Sequence, residues 1–550
     1  MLPAGCTEEP TLVSSLPDAG ADLNGPRLLN LTYPACLDYT CSMTRDTVII
    51  VGAGLAGLST ASYAALNGYR PLVLEQNAFP GGLAAPWTNE RYAVPFTPGL
   101  LLKPEPKDPL HSTYTELGIQ PETFLVPDPA LRFIDEAGDR SVDVGRDLNR
   151  LAVELSTLRK SDSGRALELI GMATSVKAAD LDPPAKPLEL MTFGDKALRT
   201  WKMRRALRLF TEPFSRPARD YAREMDSPFI AKLVCDLFHP DAPLWMAVLT
   251  LARIAEGRLG FPPDGSTNLV HTLADRAEQL GAELRYGSEV AGIRTAGGRV
   301  TGVELARGEF IEASRVISTA DATRTLCELL DARHTDEATR RRTASWPVWS
   351  GPFVATFGIR RRCSGLPPLW NVVLRRPFFI GNHTVDLISV QLFEHAPSFA
   401  PAGHSVVQVS FPSDWGYWHT LASEDPARYQ EEKERLAAEC LSRLDFYFEG
   451  VRSLVELKHV STPHTIHRYT SNHQGSAGGW LPTPEALSTW IPHTLPGLSG
   501  FFMAGRWVTP GGEAAGNIQS GKNVVQLLCR RERRVFRSTV SAQQLSTDDR

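Results

Sequence analysis

The chain has 550 residues, 42% of them hydrophobic and 22% charged, with a formal net charge of −4. That balance excludes a disordered chain and gives no basic field for nucleic acid, and the length allows about two to four domains with real cores. The 8 cysteines form no CxxC or zinc-spaced cluster, and no apolar run reaches bilayer length, so no structural metal and no spanning segment are expected.

Residues 1–44 are rich in Pro, Gly and small polar residues and show no periodicity. They lack the charged start and apolar core of a signal peptide and read as a flexible N-terminal arm or as an upstream start that adds nothing to the fold, while the thinly spread cysteines fit a reducing, cytoplasmic compartment. Thr47 to Val51 is then a β-branched apolar run, the mark of a strand buried on both faces. It runs into Gly52-Ala-Gly54-Leu55-Ala56-Gly57, a small-residue helix ending at Asn67-Gly68, and a second apolar run ending in Glu75. In such a βαβ unit Gly52 permits the turn, Gly54 admits a pyrophosphate and Gly57 lets helix and strand pack closely. The helix start at Leu55 and Ala56 offers N–H groups to phosphates, and Glu75 is placed to accept from a ribose diol, which argues against a 2′-phosphate. The pair Gly81-Gly82 then lets a loop lie over an extended cofactor, favouring FAD over NAD.

Leu83 to Pro98 reads as a loop or short hairpin near the cofactor. Pro121 to Gly257 reads as apolar and basic helical segments. Within it Trp201–Phe210 (WKMRRALRLF) is basic and amphipathic, either a solvated cap or a face for lipid headgroups. A helix over Thr267–Leu280 and alternating strands to Ile317 return the chain to the nucleotide domain, with the Val290 backbone facing the adenine. Strands at Phe353–Phe357, Trp370–Leu374, Val385–Leu392 and Ser405–Phe411 and a helix over Pro426–Leu444 predict a substrate domain. Its tryptophans serve as core or line an apolar tunnel. Last come a strand at Phe501–Ala504, a loop from Gly505 through Gly512 to Gly516, and a helix over Asn517–Leu528, a closing element that suits FAD. His464 and His467, without a third ligand, read as strand-end histidines and not as a metal site.

Four blocks in order, spanning roughly Thr47 to Cys529, resemble the phytoene desaturase-like flavoproteins, particularly the branch with carotenoid isomerase and retinol saturase. They are VGAGLAGLSTASYAALNGYRPLVLEQNAFPGG, GFPPDGSTNLVHTLADRAEQLGAELRYGSEVAGI, STPHTIHRYTSNHQGSAGGW and FFMAGRWVTPGGEAAGNIQSG. The resemblance implies an α/β fold: a GR2-type FAD-binding Rossmann-like domain with an inserted α+β substrate domain and a helical cap. The expected partition is FAD-binding 45–115, cap 116–257, FAD-binding 258–330, substrate domain 331–465, FAD-binding 466–531 and a tail 532–550. FAD would be held by Gly52, Gly54, Leu55, Ala56, Gly57, Glu75, Gly81, Gly82, Val290, Gly505, Arg506 and Gly512, with Arg506 and Glu513 as polar groups at the reacting centre. Val94-Pro95-Phe96-Thr97, Pro262-Pro263-Asp264-Gly265, Glu513 and Ala515 depart from the family's pattern near the flavin.

The expected chemistry is desaturation of a hydrophobic isoprenoid or polyene by hydride transfer to flavin N5, with few protein groups required. Oxygen, a quinone or a carrier would reoxidise the flavin, and the family implies peripheral contact with a membrane. Redox-neutral isomerisation or saturation on reduced FAD and amine-oxidase-like chemistry are the alternatives. A non-catalytic prenyl-protein escort is disfavoured by the intact glycines and Glu75.

Overall fold

The computed structural model describes residues 46–89, 91–96, 100–489, 491–508 and 513–539. The arm 1–44, Thr97 and the predicted cofactor ligand Gly512 lie outside these.

Strand Thr47–Val51 is buried along its whole length. It pairs in parallel with Arg70–Leu74 on one side and Val316–Ser318 on the other. Glu283–Arg285 and Phe501–Met503 complete a five-stranded sheet at its two edges. A parallel sheet needs cover on both faces, and its alternate residues divide accordingly. Val48, Ile50, Val73, Ile317 and Phe502 pack against helices Leu55–Leu66, Gly265–Gln279 and Ala514–Arg531. Ile49, Leu72, Leu74, Val316 and Met503 pack against a small antiparallel sheet of Val290–Ala296, Arg299–Leu305 and Phe310–Glu312. Segments from the start, middle and end of the chain therefore build one nucleotide-type domain. The closing helix begins at Ala514, one turn ahead of the predicted Asn517.

A second sheet has seven strands, in the order 455–461, 352–359, 405–412, 383–392, 369–380, 131–135 and 140–144. One face packs on helix Pro426–Tyr447 through Phe353, Phe357, Val372, Ile388, Val390 and Val409, with Trp418 of helix Trp415–Glu424 in the same core. The buried tryptophans Trp346, Trp370, Trp418 and Trp480 are thus core. The predicted hairpin after the glycine pair is present as Pro86–Thr88 against Ala93–Pro95.

Two expectations are corrected. The stretch read as wholly helical, Pro121 to Gly257, contains the hairpin Leu131–Asp135 and Arg140–Val144, which joins the second sheet through Trp370 and Asn371. Its sequence alternates, and Leu131, Phe133, Val142 and Val144 supply the apolar face on which helices Leu148–Leu158, Ser163–Ser175 and Leu244–Ala255 pack. His464 and His467 lie on helix Pro463–Thr470, not at a strand end. Thr462 accepts from the Thr465 N–H and Pro463 occupies the first turn, a start signal that overrides the preceding strand pattern.

Candidate functional site

The two sheets enclose a cavity of about 980 Å³. Of the predicted cofactor residues, Gly52, Gly54, Leu55, Ala56, Glu75, Gly81, Gly82, Val290, Gly505 and Arg506 all line it, as does Glu513. Gly57 is not on the wall. A Cβ there would lie 1.9 Å from the Gly52 carbonyl oxygen, so its absence lets the opening helix seat on the turn.

Local chemistry explains how each part is held. Gly52 turns the chain at φ +97°, a conformation that disfavours a side chain. A Cβ on Gly54 would meet nothing within 4 Å, so that backbone faces open space at the helix N-terminus. The Gly81 N–H donates to the Ala53 carbonyl at 2.9 Å, clasping the second glycine loop over the first. Glu75 is 5% exposed. Its Oε2 accepts from the Ala53 N–H at 2.8 Å, and its Oε1 accepts from the Asn77 backbone and amide at 2.9 and 2.8 Å. Burial raises its pKa above the ordinary value, and the N–H groups of Asn77 and Ala53 oppose that rise. A carboxylate has about four acceptor sites, so with three taken it retains one for a ribose hydroxyl.

The end of the chain closes the cradle. The Gly505 N–H donates to Ser520 Oγ at 2.8 Å, and Ser59 Oγ on the opening helix donates to the Ile518 carbonyl at 2.7 Å. Ala514 and Asn517, on the first turn of the closing helix, line the same cavity as Leu55. Two helix N-termini therefore converge on one space, the electrostatic arrangement that suits the phosphates and polar ring edge of an extended dinucleotide. The residues present fit that group.

Arg506 is enclosed, and its guanidinium donates to the Ala477 carbonyl. Burial lowers its pKa to about 10, which leaves it cationic at neutral pH. Glu513 precedes the closing helix and accepts from Arg253 Nη1 at 2.8 Å. Arg253 also donates to Asp182 at 3.0 Å, and Arg258 joins Asp182 to Asp108. Glu513, expected as a polar group at the reacting centre, lines the cavity and is also the outer end of an ionic chain that ties the cap to the closing helix. Sequence offers no signal for partners so far apart in the chain.

Beyond the cofactor cradle the cavity continues to the second sheet and to helix Pro228–Asp236. Phe238, Trp349 and Tyr469 give it aromatic walls, and Trp349 packs edge-on to Phe238 at 5.3 Å. Polar residues share the lining: Asn371, Ser389, Gln391, Gln408 and Ser410 from the sheet, and Asp236 and His239 from the helical side. His239 Nδ1 accepts from the Asp241 N–H, and burial pushes the ring down to about 4, so it is neutral. Sequence reasoning missed this polar wall, reading the aromatic-rich strands only as core or as the lining of an apolar tunnel. His464 and His467 instead stand with Trp415 and His419 in a ring stack, and no His/Cys/Asp/Glu group among the described residues could hold a metal.

Comparison with known proteins agrees with this geometry. The chain is 24% identical over 493 residues to the chloroplastic prolycopene isomerase of Daucus carota, covering 84% of this chain and 76% of that one. It is 23% identical over 507 residues to the lycopene-forming phytoene desaturase of Pseudescherichia vulneris, covering 87% and 98%. An oxidoreductase from Methanosarcina mazei shares the fold with a TM-score of 0.56 at 15% identity, over 87% of this chain and 100% of that one. The flavin containing amine oxidoreductase profile matches residues 55–529, and the chain belongs to that family of flavin-dependent oxidoreductases.

Proposed function

We propose that the chain binds FAD and uses it to dehydrogenate a carbon–carbon bond in a substrate with a largely apolar, isoprenoid-like body. The observation that carries this is the single cavity in which the glycine turn, the Gly81-Gly82 loop and the closing helix meet an aromatic-walled chamber. Gly52, Gly54, Glu75, Gly81, Gly82 and Gly505 would hold the dinucleotide, and Val290 would face its adenine. FAD supplies a two-electron acceptor for a hydride, which few side chains could replace. The protein's share is orientation and exclusion of water. Phe238, Trp349 and Tyr469 press on an apolar body and exclude water from the reacting bond. Arg506 keeps a positive charge in the wall, which favours negative charge developing beside it.

The isomerase and desaturase names of the relatives support carbon-skeleton chemistry, and reduction-dependent isomerisation or saturation is the nearest alternative. Oxidation of an amine is the second reading, favoured by the acidic Asp236 and Asp386 on the chamber wall. Oxygen, a quinone or a protein carrier serves as electron acceptor in all of these. No helix among the described residues is long and apolar enough to cross a membrane. Contact with a bilayer surface belongs to the proposal through the exposed Phe193, Leu198 and Trp201.

The test is direct. The purified protein should be yellow and release about one FAD per chain, and it should convert an apolar polyene aerobically to a product two hydrogens poorer. Activity appearing only after photoreduction would move the assignment to isomerase or saturase, and peroxide released from amines would move it to amine oxidation. A colourless protein would refute it.

A further inference from the structure

The second sheet presents two unlike faces. The one against helix Pro426–Tyr447 is apolar throughout. On the other, cross-strand partners place Asn371, Ser389 and Ser410 in one row and Gln391, Gln408 and Thr356 in the next. Alternation of this kind on an antiparallel sheet ordinarily marks a solvent face. Here the face is enclosed: Gln391 is 3% exposed and Asn371 6%. Both side-chain amide atoms of Gln391, and Oδ1 of Asn371, are buried without a hydrogen-bond partner. Native interiors rarely leave such atoms unmatched, and both residues line the chamber.

The free groups define what would match them. Asn371 Nδ2 donates to the Asp236 carboxylate, which fixes Oδ1 as the unmatched atom. Lys232, on the same helix, is paired with Asp386. Asp236 is pushed up to about 6, chiefly by burial, while the Asn371 hydrogen bond and the Lys232 charge oppose the rise. What remains is one donor, Gln391 Nε2, and two acceptors, Gln391 Oε1 and Asn371 Oδ1. A hydroxyl can accept from Gln391 Nε2 and donate its one proton to one of the two carbonyl oxygens. A hydrocarbon would leave the buried amide groups unmatched, and a carboxylate, an acceptor only, has no proton to give the two carbonyl oxygens.

We propose that the substrate is an alcohol, an apolar body carrying a hydroxyl group that Gln391 and Asn371 bind inside the chamber. This rests on the proposed function in taking the aromatic-walled space as the substrate site, and it narrows the substrate class.

The test compares geranylgeraniol, the C20 hydrocarbon lacking only its hydroxyl, and the corresponding primary amine. Binding to the flavin-containing protein is followed by both tryptophan fluorescence and the flavin difference spectrum. The alcohol should bind at least about tenfold more tightly than the hydrocarbon and than the amine, the scale of one buried polar group matched or left unmatched. Gln391→Leu and Asn371→Leu should each cut the alcohol's advantage several-fold and leave hydrocarbon binding and flavin content as they were. Equal binding of alcohol and hydrocarbon by the wild type, or tighter binding of the amine, would overturn the assignment without any variant needing to fold. Unchanged preference in both variants would overturn it too. Failure of all three probes to bind a fully flavin-loaded protein would remove the substrate-chamber reading along with it.

Discussion

Asp236 ends the helix Pro228–Asp236, half-buried, with its carboxylate held by Asn371 and its remaining surface turned to the chamber. Burial raises its pKa from 3.8 to about 6, while the Asn371 hydrogen bond and the Lys232 charge oppose the rise. The sign of the linkage follows. Below about pH 4 the group is protonated in folded and unfolded chains alike, and folding carries no charge penalty. As pH rises through about 6 the folded chain must ionise a carboxyl that the unfolded chain ionises more easily, so this stability is lost. Asp236→Asn should therefore gain on the wild type between pH 4 and 7, reaching a difference on the order of 1 kcal/mol above pH 7 once screening by chamber water is allowed for. Denaturant midpoints of the two proteins across that range check it, and parallel curves would show that Asp236 ionises without penalty. Residues of the glycine turn were legible in the sequence because turn, helix start and acidic strand end follow each other within one βαβ unit. Asp236 was not, because its carboxylate gains meaning only from a strand far along the chain.

At the scale of single elements, helix Phe193–Lys202 is the one whose apolar residues lack a core. Thr192 and Asp195 cap it reciprocally, yet none of its residues is buried. Phe193 is 89% and Trp201 60% exposed, and Leu207 and Phe210 in the following turns are 48% and 44% exposed. A helix serving a core buries such a stripe. Lys196, Lys202, Arg204, Arg205 and Arg208 accompany it, and Arg204 lies over the Trp201 ring at 4.1 Å. Apolar residues rimmed by cations suit an anionic bilayer surface. Wild-type protein should co-sediment with phosphatidylglycerol-containing vesicles in a salt-sensitive way. Phe193→Glu with Trp201→Glu should lower that partition about tenfold or more, from the loss of two buried aromatic side chains. Equal partition of wild type and variant would refute the membrane face. The sequence pointed to WKMRRALRLF but set the segment's start too late, since the TFGD cap just ahead of it fixes the helix at Phe193. The same limit hid the polar wall: Ser389 and Gln391, or Gln408 and Ser410, alternate as any half-exposed strand would. Only the packing of distant segments around the chamber buries Gln391 and Gln408. The hairpin 131–144 was lost for a related reason, its five-residue strands being short beside the long helices that flank them.

For the whole molecule, the decisive feature is that the flavin cradle has no owner in the chain order. The opening helix and the closing helix approach so nearly that a Cβ on Gly521 would lie 2.7 Å from the Ala56 carbonyl oxygen. The Ser59 hydroxyl bridges them, and Arg253 ties the approach to the closing helix into the cap through Glu513. A ligand gripped by parts from the beginning, middle and end couples their local stabilities, because each part loses contacts when it leaves. At a free concentration about 1,000 times its Kd, such a ligand adds about 4 kcal/mol to the folded state. Removing FAD should thus do more than lower the melting temperature. Amide exchange should quicken together in the glycine turn and opening helix start, in the segment after Val290, and from Gly505 into Asn517. The strands at 383–392 and 405–412, sealed on their outer face by helix Pro426–Tyr447, should keep their protection. Hydrogen exchange measured by mass spectrometry on loaded and stripped protein separates the cases. Deprotection confined to the opening βαβ unit would mean that the end of the chain does not share the cofactor. Coordinated loss in all three would mean that the cofactor is the piece on which the discontinuous domain closes, and that flavin loading and assembly of the substrate chamber are one thermodynamic event.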